Sequence, residues 1–171
     1  MLYEITAADD EWIQNQARER QRNKEERNIA SQRFDPNKSD YEIHLEGMRA
    51  EFAVAQLLNG TLNWKLLIGG DRNIGDLLLP DGRSVSVKFR KRKGWHFALQ
   101  SDNPKDFRED IGVLVYPSNS HLLGLNICRW TSRENFLALC HTTDYGYGPP
   151  LVIEPSLMLP IESLLENVGG M

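Results

Sequence analysis

The chain has very few cysteines. Cys128 and Cys140 are the only two in 171 residues, they form no CxxC pair, and the four histidines do not add the spacing of a zinc site. A disulfide-rich scaffold and a zinc ribbon are therefore excluded. Two isolated cysteines are typical of reduced thiols in a reducing compartment, so the sequence predicts a cytoplasmic protein.

Long apolar runs are also missing. No stretch of the sequence reaches the roughly 20 apolar residues that a membrane-spanning helix needs. Residues 1–14 lack the basic start and the apolar centre of a signal peptide. We therefore expect no membrane partner.

The chain has no excess of positive charge. Lys and Arg number 20 against 24 Asp and Glu, which gives a formal charge of −4 and excludes a protein that is basic over its whole surface. The charge is nevertheless uneven, because residues 82–101 contain no acid. The cations of that stretch are Arg83, Lys88, Arg90, Lys91, Arg92 and Lys93. A local patch of this kind can attract a polyanion to one place.

The hydrophobic content of 40% in 171 residues suffices for one compact domain. Apolar periodicity and turn signals predict helices at about 8–29, 41–58, 132–140 and 160–168. They predict strands at about 64–68, 76–79, 84–89, 95–99, 111–116 and 121–130. Loops are expected at 31–40 and 146–150, and hairpin turns at 80–82 and 92–94.

This order of elements predicts an α/β fold with a mixed central β-sheet flanked by helices in three layers. Within the single domain, which covers 1–171, we expect three segments. They are a polar helix and loop at 1–40, a core at 41–118, and a C-terminal strand with helices at 119–171.

Glu51 is an acid on the apolar face of the second predicted helix, where Met48 and Phe52 flank it. Gly47 and Ala55, one turn away on either side, leave room around its side chain. A carboxylate on a half-buried face is costly unless another charge offsets it. Two interpretations are open. Glu51 is either a boundary glutamate that reaches solvent or an acid of a functional site.

The predicted strand at 84–89 carries a lysine opposite its valines. Alternation in SVSVKF places the valines on one face and Ser86 with Lys88 on the other. Asp76 precedes the turn that leads into this strand, so it either caps that turn or lies near the same end of the hairpin. A carboxylate and an ammonium brought together suit phosphodiester hydrolysis, because acids hold a divalent ion and a lysine stabilises developing negative charge.

These residues resemble a known nuclease motif. Glu51 in GMRAEFAVAQLL, Asp76 in IGDLLLP and Ser86-Val87-Lys88 in SVSVKFR are similar, in this order, to the helix acid, the metal-binding aspartate and the (D/E)xK tripeptide of the PD-(D/E)xK nuclease superfamily. The resemblance spans about 47–89 and implies a restriction-endonuclease-like fold that cuts DNA with Mg²⁺ or Mn²⁺. It implies Glu51, Asp76 and the Val87 carbonyl as metal ligands and Lys88 as the catalytic lysine. It also leaves open a homodimer that cuts both strands.

Ser86 departs from that motif, because the superfamily has Asp or Glu at this position. A hydroxyl is a weaker ligand for a hard cation than a carboxylate. Glu51 can supply the missing charge, with Asp76, the Val87 carbonyl and water completing the site. Gln100, which follows the basic stretch, can add a ligand or position the water. A site that no longer cuts is the third outcome.

The cations that follow Lys88 predict a contact with nucleic acid. Basic side chains grip phosphates, and an aromatic ring can stack on bases. The residues concerned are Arg90, Lys91, Arg92, Lys93 and Trp95. A solvated turn beside a core tryptophan is the simpler interpretation.

Two functions from different classes are consistent with this sequence. The first is a metal-dependent hydrolase that cleaves DNA, with Glu51, Asp76, Ser86 and Lys88 in its site and His44, two turns before Glu51, as an accessory residue. The second is a non-catalytic nucleic-acid-binding or interaction module on the same fold.

Overall fold

The computed structural model describes residues 1–26, 39–64, 75–143 and 150–168. The helices are α1 (Ala7–Glu26), α2 (Asp40–Leu58), α3 (Arg133–Leu139) and α4 (Ile161–Val168). The strands are β1 (Leu2–Glu4), β2 (Thr61–Leu62), β3 (Leu77–Leu78), β4 (Ser84–Phe89), β5 (Phe97–Leu99), β6 (Ile111–Pro117), β7 (Gly124–Ser132), β8 (His141–Thr142), β9 (Leu151–Ile153) and β10 (Leu159–Pro160).

Among the described residues, the central sheet contains seven strands: six lie in the order β1-β7-β6-β4-β3-β2, and β10 also pairs with β7. β4 and β6 run parallel, whereas the other described pairs of this sheet are antiparallel. A second sheet has three strands in the order β5-β9-β8. The mixed central sheet with its helices confirms the predicted α/β fold class.

Two hydrophobic cores lie on opposite faces of the central sheet. Because successive strand residues point to opposite faces, Val113 of β6 lies in one core and the next residue, Leu114, lies in the other. Helices α1, α2 and α4 contribute to the first core. The small sheet and α3 contribute to the second, where the Phe97 and Phe136 rings meet edge to face at 5.8 Å. This arrangement is consistent with a three-layer α/β core.

Helix α2 carries Glu51, and local hydrogen bonds set both of its ends. Ser39 Oγ accepts from the Glu42 N–H at 3.2 Å, and Glu42 Oε2 accepts from the Ser39 N–H at 2.8 Å, which is a reciprocal capping box. At the other end Asn59 adopts the left-handed conformation with a φ of 53°, as the Asn-Gly pair predicts. Met48 on the inner face is 1% exposed, and burying such a side chain contributes roughly 1.5–3 kcal/mol.

An ion pair connects α1 to α2. Arg49 donates from Nε to Asp10 Oδ1 at 2.6 Å and from Nη2 to Asp10 Oδ2 at 2.9 Å, and Gln14 also donates to Oδ2 at 2.7 Å. These hydrogen bonds, that of Arg49 first, hold the pKa of Asp10 below its ordinary value. Thr6 Oγ1 accepts from the Asp9 N–H at 3.1 Å and thereby caps the start of α1.

The prediction of a second hairpin, with its turn at 92–94, is wrong. A turn does occur there, because the Trp95 N–H donates to the Arg92 carbonyl at 3.2 Å and Gly94 has a φ of 91°. The strand that follows, β5, pairs with β9 and not with β4. The turn therefore connects the two sheets.

Several predicted segments fall outside the described residues. They are the helix end at 27–29, most of the loop at 31–40, strand residues 65–68 and the loop at 146–149. Trp64, the first residue of that predicted strand, lies beyond the end of β2. Strands β1, β2, β8, β9 and β10 have no counterpart in the sequence prediction. The division into segments at 40 and 118 stays a prediction. In the parts of the chain that are described, no helix is both long and apolar enough to cross a membrane.

Candidate active site

Asp76 lies at the start of the first hairpin, beside the edge of β4. Its N–H donates to the Val85 carbonyl at 2.8 Å, and its Oδ2 accepts from the Val87 N–H at 2.6 Å and from Ser86 Oγ at 3.4 Å. Gly75 makes this approach possible, because its φ is +70° and a Cβ there would lie 2.8 Å from the Val85 carbonyl oxygen. The Gly-Asp pair therefore holds a carboxylate firmly against β4.

The edge of β4 beyond Asp76 presents backbone groups to the same carboxylate. β3 pairs with β4 only at Leu77 and Leu78, so the second half of β4 extends past it. The N–H and C=O of one strand residue point to the same edge. Since the Val87 N–H donates to Asp76, the Val87 carbonyl also faces this edge and not β6. It is therefore oriented as the predicted metal ligand requires.

Glu51 meets Asp76 from the side of α2. Trp64 Nε1 donates to Glu51 Oε2 at 2.6 Å, and a Cβ at Gly47 would still be 4.0 Å from Glu51 Oε1. Burial, and next the charge of Asp76, raise the pKa of Glu51 from 4.5 to about 7. Two carboxylates in such proximity favour sharing a proton or binding a cation. We call Glu51 and Asp76 the acid pair.

Two cations partly offset the negative charge at the acid pair. Arg20 from α1 and Lys88 from β4 both lower the pKa of Glu51, Arg20 having the larger effect. Lys88 is half-buried and, by strand alternation, shares its face of β4 with Ser86, which is 5% exposed. The structure therefore brings Glu51, Asp76 and Lys88 to one place and adds Arg20.

Sequence reasoning missed Arg20, although a signal for it exists. Ile13 and Ala17 are fully buried on the inner stripe of α1, and a residue three positions after Ala17 continues that stripe. Arg20 occupies that position. A charged residue that follows two buried apolar ones on the same helix face indicates a charge inside the fold.

Sequence reasoning also missed the aromatic residues beside Glu51. Trp64 follows Asn63, whose N–H donates to the Asp76 carbonyl at 3.0 Å. The Trp64 ring stacks on Trp12 of α1 with a centroid separation of 5.0 Å and an interplanar angle of 24°. We call Trp12 and Trp64 the aromatic stack. Nothing in the local sequence pairs these two residues, because they are 52 positions apart along the chain.

The basic turn, residues 90–95, directly follows β4. Arg90 is half-buried, since its N–H donates to the Val115 carbonyl at 2.9 Å and its Nε to the His96 carbonyl at 3.0 Å. The Arg92 guanidinium lies 5.7 Å from the centre of the Trp95 ring. The exposed residues of the turn are Lys91, Arg92, Lys93, Gly94 and Trp95. Three of its four cations therefore face solvent.

The two accessory candidates lie in different elements. His44 is half-buried on α2, two turns before Glu51. Gln100 is exposed at the end of β5, in the small sheet, so its strand is not a neighbour of β4 in the central sheet.

The donor set at the acid pair is small. No group of three or more His, Cys, Asp or Glu side chains suited to a metal ion occurs among the described residues. The acid pair offers two carboxylates and the Val87 carbonyl. These are oxygen ligands, which Mg²⁺ prefers, and Mg²⁺ commonly uses only one or two protein carboxylates and keeps several waters. The residues therefore fit Mg²⁺ better than a metal that needs nitrogen or sulfur ligands.

Comparison of the sequence with protein-family models and with curated proteins finds no match. The interpretation of this site therefore depends on its own geometry and charges.

Proposed function

We propose that the protein is a metal-dependent nuclease that hydrolyses phosphodiester bonds of DNA. The acid pair is the observation that carries this proposal: a half-buried glutamate from α2 and an aspartate held by β4 lie close enough that the charge of Asp76 helps to raise the pKa of Glu51. Closely placed carboxylates of this kind are typical of functional sites. The motif shared with the PD-(D/E)xK superfamily supports the same reaction.

The residues around the acid pair have separate roles in the proposed reaction. A Mg²⁺ or Mn²⁺ ion held by Glu51, Asp76 and the Val87 carbonyl would polarise the phosphate and acidify a bound water. The Val87 N–H fixes Asp76 in its ligand orientation. Lys88 and Arg20 stabilise the negative charge that develops on the phosphate oxygens.

Ser86 is compatible with this site, although it is not an acid. It is buried, and its hydroxyl contacts Asp76 Oδ2. The second carboxylate comes from Glu51 on α2. We therefore assign Ser86 to positioning Asp76 and not to binding the metal.

The basic turn supports DNA as the substrate. It adjoins β4, which carries Lys88, and three of its cations are exposed. Phosphate contacts by such side chains add affinity without reading the base sequence.

The test is cleavage of DNA by the purified chain with Mg²⁺ or Mn²⁺. We expect cleavage that requires the metal and that both Asp76→Ala and Lys88→Ala reduce by at least about a hundredfold. Lys105→Ala is the matched control, because Lys105 is exposed and has no described contact with the site. Cleavage without a divalent ion, or cleavage that survives both site substitutions, contradicts the proposal.

A non-catalytic DNA-binding module is the second candidate, and Ser86 is the observation that favours it. Loss of the usual acid leaves a poorer ligand at this position. This candidate predicts salt-sensitive DNA binding without metal and no cleavage with any divalent ion. The same assay therefore separates the two functions.

A further inference from the structure

The aromatic stack runs from the acid pair to the surface. Trp64 donates its indole N–H to Glu51 at 2.6 Å, and its ring stacks on Trp12. Trp12 in turn contacts Phe52 at a tilted angle of 58° and a centroid separation of 6.0 Å. The stack therefore ends at Trp12, which is 45% exposed.

This exposure distinguishes Trp12 from a core residue. A tryptophan that serves only to fill a core is largely buried, and three phenylalanines of the second core are at most 1% exposed. Trp12 instead leaves much of its ring in water, next to a site proposed to bind nucleic acid. An exposed aromatic ring offers a flat surface on which another ring can stack.

We propose that the exposed part of Trp12 stacks on an unpaired nucleobase, so that DNA reaches the site as a single strand or as the unpaired end of a duplex. This inference rests on the proposed nuclease function and adds the form of its substrate. Bases inside a duplex are stacked on each other, so their faces are closed to Trp12. Bases of a single strand present those faces, and stacking on an aromatic side chain binds any base.

α1 carries six acids against four cations, so the helix as a whole does not attract a nucleic-acid strand, and the proposed contact with phosphate is local to Arg18 and Arg20. Arg18 donates to Asn15 Oδ1 at 3.0 Å and to Gln14 Oε1 at 3.4 Å, and these partners are neutral. Arg18 therefore keeps its full charge for a phosphate. Arg20, on the same helix, already acts on Glu51. Glu19 lies between these two arginines and Glu11 directly precedes Trp12, and both acids oppose a phosphate there.

The experiment measures equilibrium binding with Ca²⁺ in place of Mg²⁺, so that binding is separated from cleavage. The probes are a labelled single-stranded DNA, a blunt duplex of the same sequence, and that duplex with an unpaired tail. We expect the single strand and the tailed duplex to bind more tightly than the blunt duplex. Trp12→Ala should weaken the binding of the single strand and of the tailed duplex about tenfold and leave the binding of the blunt duplex unchanged.

Trp12→Phe keeps an aromatic ring and should retain most of the affinity for the single strand. Leu122→Ala is the control for loss of an exposed apolar side chain, since Leu122 is fully exposed. Circular dichroism checks that each variant folds. Because Trp12→Ala also removes contacts with Trp64 and Phe52, a second measurement uses the unchanged protein. In it, 2-aminopurine at successive positions of the single strand should be quenched where it stacks on Trp12.

The outcomes separate this inference from the function on which it rests. If the unchanged protein cleaves DNA but Trp12→Ala binds the single strand as tightly as before, the stacking inference is wrong and the nuclease proposal stands. Absence of 2-aminopurine quenching at every position would likewise overturn the stacking inference alone. If the unchanged protein binds no DNA in any form, both proposals fail.

Discussion

The acid pair and the basic turn both adjoin β4, but they hold their charges in opposite ways. Glu51 and Asp76 are each held by a hydrogen bond of 2.6 Å, from Trp64 and from Val87. In the basic turn, by contrast, the side chains at positions 91–93 are exposed. Attraction of a polyanion needs only charge of the right sign nearby, whereas metal chemistry needs atoms at fixed distances. The two regions differ in the way that the proposed function requires.

The difference extends to stability. Burial and a like charge disfavour the ionised form of Glu51, so the acid pair destabilises the metal-free fold at neutral pH. The exposed cations of the basic turn carry no such penalty, because water solvates them. The predictions that follow act on one region and use the other as the reference.

The largest effect should come from Gly75→Ala. Its φ of +70° is unfavourable for alanine, and the new Cβ would lie 2.8 Å from the Val85 carbonyl oxygen. We expect a loss of about 3 kcal/mol or more in the free energy of unfolding, which lowers the midpoint of thermal unfolding by about 10 °C. Thermal unfolding followed by circular dichroism measures it.

Gly94→Ala in the basic turn is the matched control for that change. Gly94 also has a positive φ, of +91°, but a Cβ there would meet nothing within 4 Å. We expect a loss of only about 1 kcal/mol. Equal losses in the two variants would show that the close approach of Gly75 to β4 contributes nothing.

The second effect is a pH-dependent gain of stability in Glu51→Gln. Because the folded pKa of Glu51 is raised from 4.5 to about 7, the unchanged protein loses stability as the pH rises through this window. Glutamine stays neutral, so the variant should match the unchanged protein near pH 4 and be more stable by on the order of 2 kcal/mol near pH 8. Urea unfolding at several pH values without metal measures the difference.

Adding Mg²⁺ extends the same test. A ligand that binds only the folded state stabilises it, so Mg²⁺ should raise the stability of the unchanged protein at pH 8 and not that of Glu51→Gln. Lys91→Gln, in the basic turn, should respond to Mg²⁺ as the unchanged protein does. The quantity to compare is the difference in stability between Glu51→Gln and the unchanged protein. If this difference is no larger at pH 8 than at pH 4, the result contradicts the burial of the Glu51 carboxyl group.

The third effect concerns the basic turn alone. Replacing Lys91, Arg92 and Lys93 together by glutamine should weaken DNA binding about tenfold or more. It should also reduce the slope of log affinity against log salt by about 2 to 3, since each lost phosphate contact removes about 0.9. Fluorescence anisotropy over a series of salt concentrations measures both quantities.

Mn²⁺ binding at the acid pair should not change in that triple variant. Lys105→Gln with Arg108→Gln is the control for lost positive charge, since both residues are exposed outside the turn. If the triple variant and the control pair behave alike, the turn has no special part in binding DNA.

The smallest effect should come from Asp10→Asn, which loosens α1 and with it Arg20 and Trp12. Arg49 holds the pKa of Asp10 below 3.8, so this ion pair stabilises the fold above that pH and its contribution is lost as the pH falls further. We expect a loss of about 1 kcal/mol at neutral pH that shrinks below about pH 4. Unfolding in urea at neutral and acid pH measures it, and DNA binding by the basic turn should be unaffected.

Local signals in the sequence predicted the elements whose ends depend on neighbouring residues. Helix α2 is an example, because it was predicted at about 41–58 and is found at Asp40–Leu58, although its capping by Ser39 and Glu42 was not predicted. Strand pairing between distant segments was not predictable in this way. β5 was expected beside β4 because a turn joins them, yet it pairs with β9, more than 50 positions later.

The residues of the candidate site fall into the same two groups, those that local signals predict and those that depend on distant packing. Asp76 precedes β3 and Lys88 lies on β4, and one turn joins these two strands. Their proximity could therefore be predicted from the turn and from strand alternation. Trp64 and Arg20 reach Glu51 only after α1, α2 and the segment behind β2 have packed together. No short-range pattern encodes that packing, and the stacking of Trp12 on Trp64 depends on it.

The two stacked indoles also give the protein an optical property. Their rings are close and nearly parallel, so we expect their electronic transitions to couple and to give a paired band in circular dichroism that neither ring gives alone. Trp64 is hydrogen-bonded to Glu51, so any displacement of that carboxylate changes the coupling. The protein thus contains an intrinsic spectroscopic reporter on its acid pair, which can be used to test the proposed binding of metal and DNA without an added label.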